Sequence, residues 1–145
     1  MPCLKGRYEP YLGPIINVGV LPGGSSDQSA QSPHTVPALL DTGAQITCIS
    51  PRVVQALNLA PLGLRQVNSA TGIVPLNTYL IDLVLPLGPK GVFRSGMLVM
   101  GFAVDHQNAV QVLIGRDLIS RSTLILRPNG DFTFCMARPG ERATD

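Results

Sequence analysis

The sequence predicts an all-β domain, and three observations support this fold class. Short runs rich in β-branched residues recur between turn signals. Gly and Pro are frequent, with 15 and 13 copies, whereas aromatic residues make up only 5% of the chain. The chain has 145 residues, enough to bury one core without disulfides or a metal, so residues 1–145 are expected to form a single domain. The density of candidate strands is that of a small closed barrel.

The candidate strands are short apolar runs bounded by turn residues. They span residues 14–21, 35–40, 45–50, 63–70, 72–86, 93–102, 109–115, 122–128 and 131–137. The last two are joined by the sequence RPNGD at residues 127–131, which has the chemistry of a tight hairpin turn.

Two short helices are also predicted. Ser50 and Pro51 form a start signal, a hydroxyl N-cap followed by Pro at the first helical position, and Asn58 ends this helix. The second candidate helix spans residues 115–121. The small, polar, Pro- and Gly-rich stretch at residues 22–34 is expected to be a flexible surface loop, and residues 137–145 a loose tail.

Charge and hydropathy exclude some classes of partner. The formal net charge is only +2 and no run of Lys or Arg occurs, so nucleic acid is not an expected partner. The longest apolar stretch, residues 96–104, is far shorter than the ~20 residues that cross a bilayer, so no membrane partner is expected. Hydrophobic residues make up 45% of the chain, which suggests that part of the surface meets another subunit.

The cysteines and histidines do not form a recognisable pattern. Cys3, Cys48 and Cys135 are odd in number and have no CxxC spacing, while His34 and His106 lie far apart. We therefore expect neither a disulfide framework nor a zinc site, and no other metal or cofactor is implied. A reducing compartment, and hence a cytoplasmic location, fits best.

Asp41 is the only acidic residue in the otherwise apolar and small-residue run PALLDTGAQITCIS at residues 37–50. It follows an apolar strand and precedes Thr42 and Gly43, so the chain turns as the carboxylate leaves the sheet. Taken alone, the tripeptide favours an Asx-type turn in which the carboxylate caps its own backbone.

A second motif changes this interpretation. The sequence AVQVLIGRDLI at residues 109–119 is an apolar strand that ends in Gly and enters a helix. With ALLDTGA at residues 38–44, it resembles the retropepsin-like aspartic proteases over about residues 35–136. The form DTGAQ followed by Ser-Pro and a helix is more similar to the cellular and bacterial members, including the domain of the Ddi proteins.

The resemblance implies that Asp41 is one of two catalytic carboxylates. The sequence holds a single Asp-Thr-Gly or Asp-Ser-Gly. Each subunit would therefore supply half a site, and an active enzyme would be a homodimer with its two-fold axis through the site. The resemblance assigns supporting roles to the neighbours: Thr42 would bond across the dimer, Gly43 would allow close approach of the substrate, and three residues would pack beneath the turn, namely Leu113, Ile114 and Gly115.

The family also needs a mobile hairpin, the flap, that closes over the peptide. Residues 65–77 are the candidate, although an ordinary exposed hairpin is an equally good interpretation of the local sequence. The residues expected to bind substrate are Ala44, Ser69, Ala70, Thr71, Gly72, Ile73 and Val74.

This chain departs from the viral members just after the Asp-Thr-Gly. Where those often carry acidic residues, it has Gln45 and Ile46, so Arg116 lacks that partner and is expected to pair with Asp117 or another acid. Two further expectations concern strand positions: Cys48 should face inward, and Asp82 should face solvent or a sheet edge.

The predicted function is an aspartic endopeptidase that acts as a homodimer on peptide or protein substrates. Two alternatives stay open. One is a non-catalytic dimerisation or peptide-binding module that keeps the fold. The other is a protease restricted to one partner or to itself, with self-cleavage in the 22–34 loop or after Met136.

Overall fold

A closed barrel of six strands forms the centre of the fold. The computed structural model describes residues 1–24, 32–69, 72–101, 109–138 and 140. The elements, in chain order, are β1 (Cys3–Arg7), β2 (Ile15–Pro22), β3 (His34–Leu40), β4 (Cys48–Ile49), α1 (Pro51–Ala56), β5 (Gly63–Ser69), β6 (Gly72–Leu85), β7 (Val92–Gly101), β8 (Val112–Ile114), α2 (Arg116–Ile119), β9 (Ser122–Leu126) and β10 (Asp131–Met136).

The strands form two sheets. The barrel runs in the order β2-β3-β8-β4-β7-β6 and closes through pairing of β2 with β6, while β5 pairs with the outer half of β6. β3 and β8 are parallel, so the chain entering the Asp-Thr-Gly turn lies beside the chain entering α2. The second sheet has three strands in the order β1-β10-β9. The all-β barrel with two short helices is therefore confirmed.

Alternating apolar residues place the core inside the barrel. In β2, Ile16, Val18 and Val20 are buried, whereas Asn17 between them is exposed. Phe132 and Phe134 of β10 extend the same core toward the three-stranded sheet. The start of β2 thus alternates as a strand with one buried face requires, whereas every residue from Val18 to Leu21 is buried.

The expectation that Asp82 faces solvent or an edge is wrong. Its side chain is fully buried, and the Gly96 N–H donates to its Oδ1 at 2.8 Å. Ile81 and Leu83 are buried as well, so both faces of β6 are covered at this point, while β2 and β7 pair with its two edges. The pairing of β6 with β7 is irregular at this point, which brings the backbone of Gly96 to the carboxylate.

The expectation of no disulfide is also wrong. The antiparallel register of β1 and β10 sets Cys3 opposite Cys135 with their Cα atoms 4.0 Å apart, and the two sulfurs are bonded. β1 was not among the predicted strands, because CLKGR has no run of β-branched residues. The cytoplasmic location loses the support that the cysteines gave it and stays a prediction.

Both helices form close to where the sequence places them. Ser50 caps α1, its Oγ accepting from the Val53 N–H, and Pro51 is the first helical residue. The hairpin between β9 and β10 has Gly130 in the left-handed region, at φ +93°. The described ranges contain no helix with the length and apolar character needed to span a membrane.

Two predicted irregular segments fall mostly outside the described residues. These are the interior of the loop predicted at 22–34 and most of the tail predicted at 137–145. The two ends of that loop belong to strands instead, since β2 extends to Pro22 and β3 begins at His34.

Candidate active site

The Asp-Thr-Gly turn begins where β3 leaves the barrel. The Asp41 N–H donates to the Ile114 carbonyl at 2.9 Å, so the last ladder bond of the parallel pair fixes the start of the turn. The Ala44 N–H then donates to the Asp41 carbonyl at 3.1 Å and closes the turn. The neighbouring strand thus determines where the Asp41 side chain emerges.

The Asp41 carboxylate is half-buried and only partly used by its own turn. Its Oδ1 accepts the Gly43 N–H at 2.9 Å, which is the Asx-type contact expected from the tripeptide alone. Within the part of the chain that the structure describes, Oδ2 accepts no hydrogen bond. One oxygen is therefore oriented by the backbone, and the other remains available at the surface.

Arg116 braces the turn from below. Its Nη1 donates to the Thr42 carbonyl at 2.9 Å, and its backbone N–H donates to the Ala44 carbonyl at 2.8 Å. The expected pairing of Arg116 with Asp117 or another acid is wrong: Arg116 makes no ion pair among the described residues, and the Asp117 carboxylate accepts from Thr47 instead. The Thr42 side chain is exposed, and its hydroxyl makes no hydrogen bond within the described ranges.

Thr47 and Asp117 form a brace that the sequence did not single out. The backbone N–H of Thr47 donates to both Asp117 oxygens at 3.1 Å, and its hydroxyl donates to Oδ1 at 2.8 Å. The same hydroxyl accepts the Gly115 N–H at 3.1 Å. Asp117 also accepts the Leu118 N–H at 3.0 Å, so one carboxylate ties α2 to the chain after the turn. The available signal is an acid in the first turn of a short helix, a common capping position.

Gly115 is needed for a close approach between β8 and the chain after the turn. A Cβ built on it would lie 2.7 Å from the Ile46 carbonyl carbon and 2.9 Å from the Thr47 nitrogen. Leu113 and Ile114 pair with Leu39 and Leu40 beside the turn. The three residues predicted to support the turn therefore lie against it or against its preceding strand.

The β5–β6 hairpin lies over the turn and encloses a cleft of about 440 Å³. Its walls are Gly43, Ala44, Gln45, Ile46, Cys48, Arg65, Gln66, Val67, Asn68, Leu76, Met100 and Arg116. Of the residues predicted to bind substrate, Ala44 lines this cleft.

The other predicted substrate-binding residues lie farther along the hairpin. Ser69 pairs with Gly72 at its described end, and Ala70 and Thr71 lie outside the described residues. Val74 is opposite Val67, on the face of the hairpin toward the cleft, whereas Ile73 lies on the other face and is 65% exposed. Their roles stay predictions.

Cys48 lies on the wall of the cleft as a half-buried thiol, and its Sγ donates to the Ile46 carbonyl at 3.2 Å. Burial, followed by the nearby carboxylates of Asp117 and Asp41, raises the pKa of this thiol from 9.0 to about 11. The group is therefore neutral at physiological pH and is a poor nucleophile.

In the described ranges, no three His, Cys, Asp or Glu side chains come close enough together to hold a metal ion.

The comparisons with known proteins agree with this fold. Residues 32–121, more than half of the chain, match the family described as "gag-polyprotein putative aspartyl protease", and the chain belongs to this family. Among solved structures, it is similar to a retropepsin-like aspartic protease from Rickettsia conorii, with a TM-score of 0.61 at 13% identity over 92% of this chain and 90% of that chain. A search of curated proteins gives no match. The retropepsin-like assignment is confirmed, and the kinship with the Ddi domain stays a prediction.

Proposed function

We propose that the chain is an aspartic endopeptidase that acts as a homodimer, with one Asp41 from each subunit. The observation that carries this proposal is the Asp41 carboxylate itself, which is anchored on one oxygen by Gly43 and is available on the other. A purely structural Asx turn does not need a bracing arginine and an adjoining cleft.

The homodimer is inferred from the chemistry, because one carboxylate cannot take a proton from the water and give a proton to the carbonyl oxygen in the same step. Two turns that meet at a two-fold axis would bring two carboxylates together. The exposed Thr42 hydroxyl, which has no partner in the described part of one chain, is suited to bond to the facing turn.

Two like charges held so close cannot both ionise easily, so the pair shares one proton, and aspartic proteases are the established example. The ionised carboxylate takes a proton from a bound water as that water attacks the peptide carbonyl carbon. The protonated carboxylate gives its proton to the carbonyl oxygen, which forms a tetrahedral diol. Collapse of the diol breaks the C–N bond and returns a proton to the leaving amine.

The β5–β6 hairpin is assigned the role of the flap. Val67 and Leu76 are half-buried on its inner face above the cleft, while Leu64 on its outer face is 72% exposed. An extended peptide between the flap and the turn would pair with the hairpin backbone like an added strand and place alternate side chains in the cleft.

The test compares the parent with Asp41→Asn and with Asp131→Asn, a matched change in the β9–β10 hairpin on the second sheet. Each is incubated with a diverse peptide mixture from pH 4 to 7 and analysed by mass spectrometry. We expect Asp41→Asn to lower the cleavage rate by at least about 100-fold, since it removes general acid–base catalysis, and Asp131→Asn to retain the parent rate.

Sedimentation and circular dichroism establish whether all three proteins have the same fold and association state. A folded dimeric parent that cuts no peptide would favour the non-catalytic module or the single-substrate protease.

A further inference from the structure

The wall of the cleft beside Asp41 carries two positive charges, and the carboxylates of Asp41 and Asp117 lie near Cys48 of the same wall. Arg65 from β5 and Arg116 from α2 are its only charged wall residues within the described ranges. Neither guanidinium lies within ion-pair distance of a described carboxylate. The ion pair found among the described residues joins Arg7 and Asp131 on the second sheet. A negative group that enters between these two arginines of the cleft would be stabilised by them.

The two arginines lie on different walls of the cleft, one on the hairpin and one beside the turn. Arg65 stands opposite Leu76 on the inner face of the hairpin, with Val67 next along the same face. Arg116 lies across the cleft, where one of its nitrogens is used by the Thr42 carbonyl. A group between the hairpin and the turn would thus have a cation on each side.

A neutral wall residue favours the same ligand. Gln45, next to the turn, adds a side-chain amide that can donate hydrogen bonds to a carboxylate. The residue after Ala44 is the neutral Gln45, which lines the same wall as Arg116. Guanidinium groups bind carboxylates through short, charge-assisted and often bidentate bonds.

We propose that the cleft selects peptides with an Asp or Glu side chain close to the bond that is cut, and that Arg65 and Arg116 bind its carboxylate. This inference rests on the proposed function for its meaning, since it names the substrate class of the same site. Arg116 is in addition a positioning residue for the Asp-Thr-Gly turn, so Arg65 is the residue whose replacement tests the charge.

The experiment measures binding separately from cleavage. Asp41→Asn protein is titrated with fluorescent peptides that are acetylated and amidated at their ends and that differ only in Glu or Gln at one position, moved along an apolar sequence. We expect the best Glu peptide to bind roughly tenfold more tightly than its Gln partner, equivalent to about 1.4 kcal/mol, with the difference shrinking as salt is raised.

Three further variants in the same background identify the source of the preference. Arg65→Gln should reduce the Glu-to-Gln ratio to about three or less, since only Arg116 remains, and Arg65→Lys should keep much of it because the charge remains. Arg52→Gln, which removes an exposed arginine of α1 outside the cleft wall, is the control for net charge and should leave the ratio unchanged. Equal binding of Glu and Gln peptides, or a ratio that Arg65→Gln does not alter, overturns the proposal.

A Gln peptide with a free C-terminal carboxylate separates the two sources of a carboxylate. If this peptide binds more tightly than the amidated Gln peptide while the Glu peptide does not, the cleft recognises a C-terminal carboxylate and the proposal is wrong. Cleavage by the parent separates the two hypotheses: equal cutting of Glu and Gln peptides leaves the proposed function standing without the preference. No cutting by the parent, combined with selective binding of Glu peptides, contradicts the proposed function and supports the acidic ligand.

Discussion

Cys48 shows how one residue is made unreactive by its surroundings. Its thiol is half-buried next to two carboxylates, and both burial and negative charge disfavour the thiolate. Since the raised pKa favours the neutral form in the folded state, the stabilisation is present below pH 9 and is lost as the pH rises through about 11.

This pKa predicts slow alkylation of Cys48. At pH 8 the thiolate fraction should be about 100-fold lower than in an unfolded peptide, because the pKa rises from 9.0 to about 11. The rate of modification by iodoacetamide is followed by mass spectrometry from pH 7 to 11 with the Cys3–Cys135 bond intact. A rate that levels off near pH 9 would contradict the expected environment.

Gly115 is a second residue whose effect depends on its surroundings, because there is no room for a Cβ atom at this position. Gly115→Ala would place a methyl group against the backbone of Ile46 and Thr47, which cannot give way as a flexible side chain can. We expect the free energy of unfolding to fall by roughly 1–3 kcal/mol, measured by urea denaturation.

The matched control is Gly63→Ala in β5, where the nearest atom to the new Cβ is Thr78 Oγ1 at 3.9 Å. Its stability should stay within about 0.5 kcal/mol of the parent value. Equal effects of the two substitutions would mean that the approach of β8 to the turn is not tight.

At the scale of elements, the Thr47–Asp117 brace connects α2 with the segment between the turn and β4. Asp117→Ala would leave the buried Thr47 N–H and hydroxyl without their acceptor. The expected cost is about 1–3 kcal/mol in the free energy of unfolding.

Double substitution identifies the cause. Thr47→Val with Asp117→Ala should cost less than the sum of the single changes, because both remove the same hydrogen bond, while Thr47→Ser keeps the hydroxyl and should be mild. Strict additivity in urea denaturation would show that the two residues act independently.

The whole molecule is tied together by the bond between its first and last strands. Cys3 and Cys135 are 132 residues apart, so their link removes much of the conformational freedom of the unfolded chain. We expect Cys3→Ser to lower the free energy of unfolding by roughly 2–5 kcal/mol under oxidising conditions.

The parent treated with dithiothreitol should match Cys3→Ser, whereas Cys48→Ser should keep its sensitivity to the reductant. Denaturation curves of all three with and without reductant provide the check. A parent whose stability does not respond to dithiothreitol would contradict the expected linkage.

Sequence reasoning worked best where local chemistry decides the structure. The cap at Ser50, the hairpin turn before β10 and the Asp41 turn each depend on neighbouring residues, and each was predicted. It failed where distant parts of the chain decide. Asp82 is buried on a strand for which the sequence predicts one exposed face, and only the register of β1 with β10 brings Cys3 opposite Cys135.

The residues of the candidate site also fall into those that local sequence predicts and those that only the fold brings together. Asp41 and its neighbours could be found from a short motif, but the cleft wall could not, because Arg65 and Arg116 come together only when the hairpin lies over the turn. Thr47 and Asp117 are 70 residues apart, and nothing in either local sequence names the other as its partner.

The Cys3–Cys135 bond turns most of the chain into a covalent ring. A protease that cut itself once between these residues, for example in the stretch between β2 and β3, would release no fragment. The nicked molecule would differ from the intact one only by the mass of one added water and would run as a single species until it is reduced. A single self-cut inside the ring therefore yields two separate fragments only after reduction, whereas a cut after Met136 lies outside the ring and releases its fragment directly.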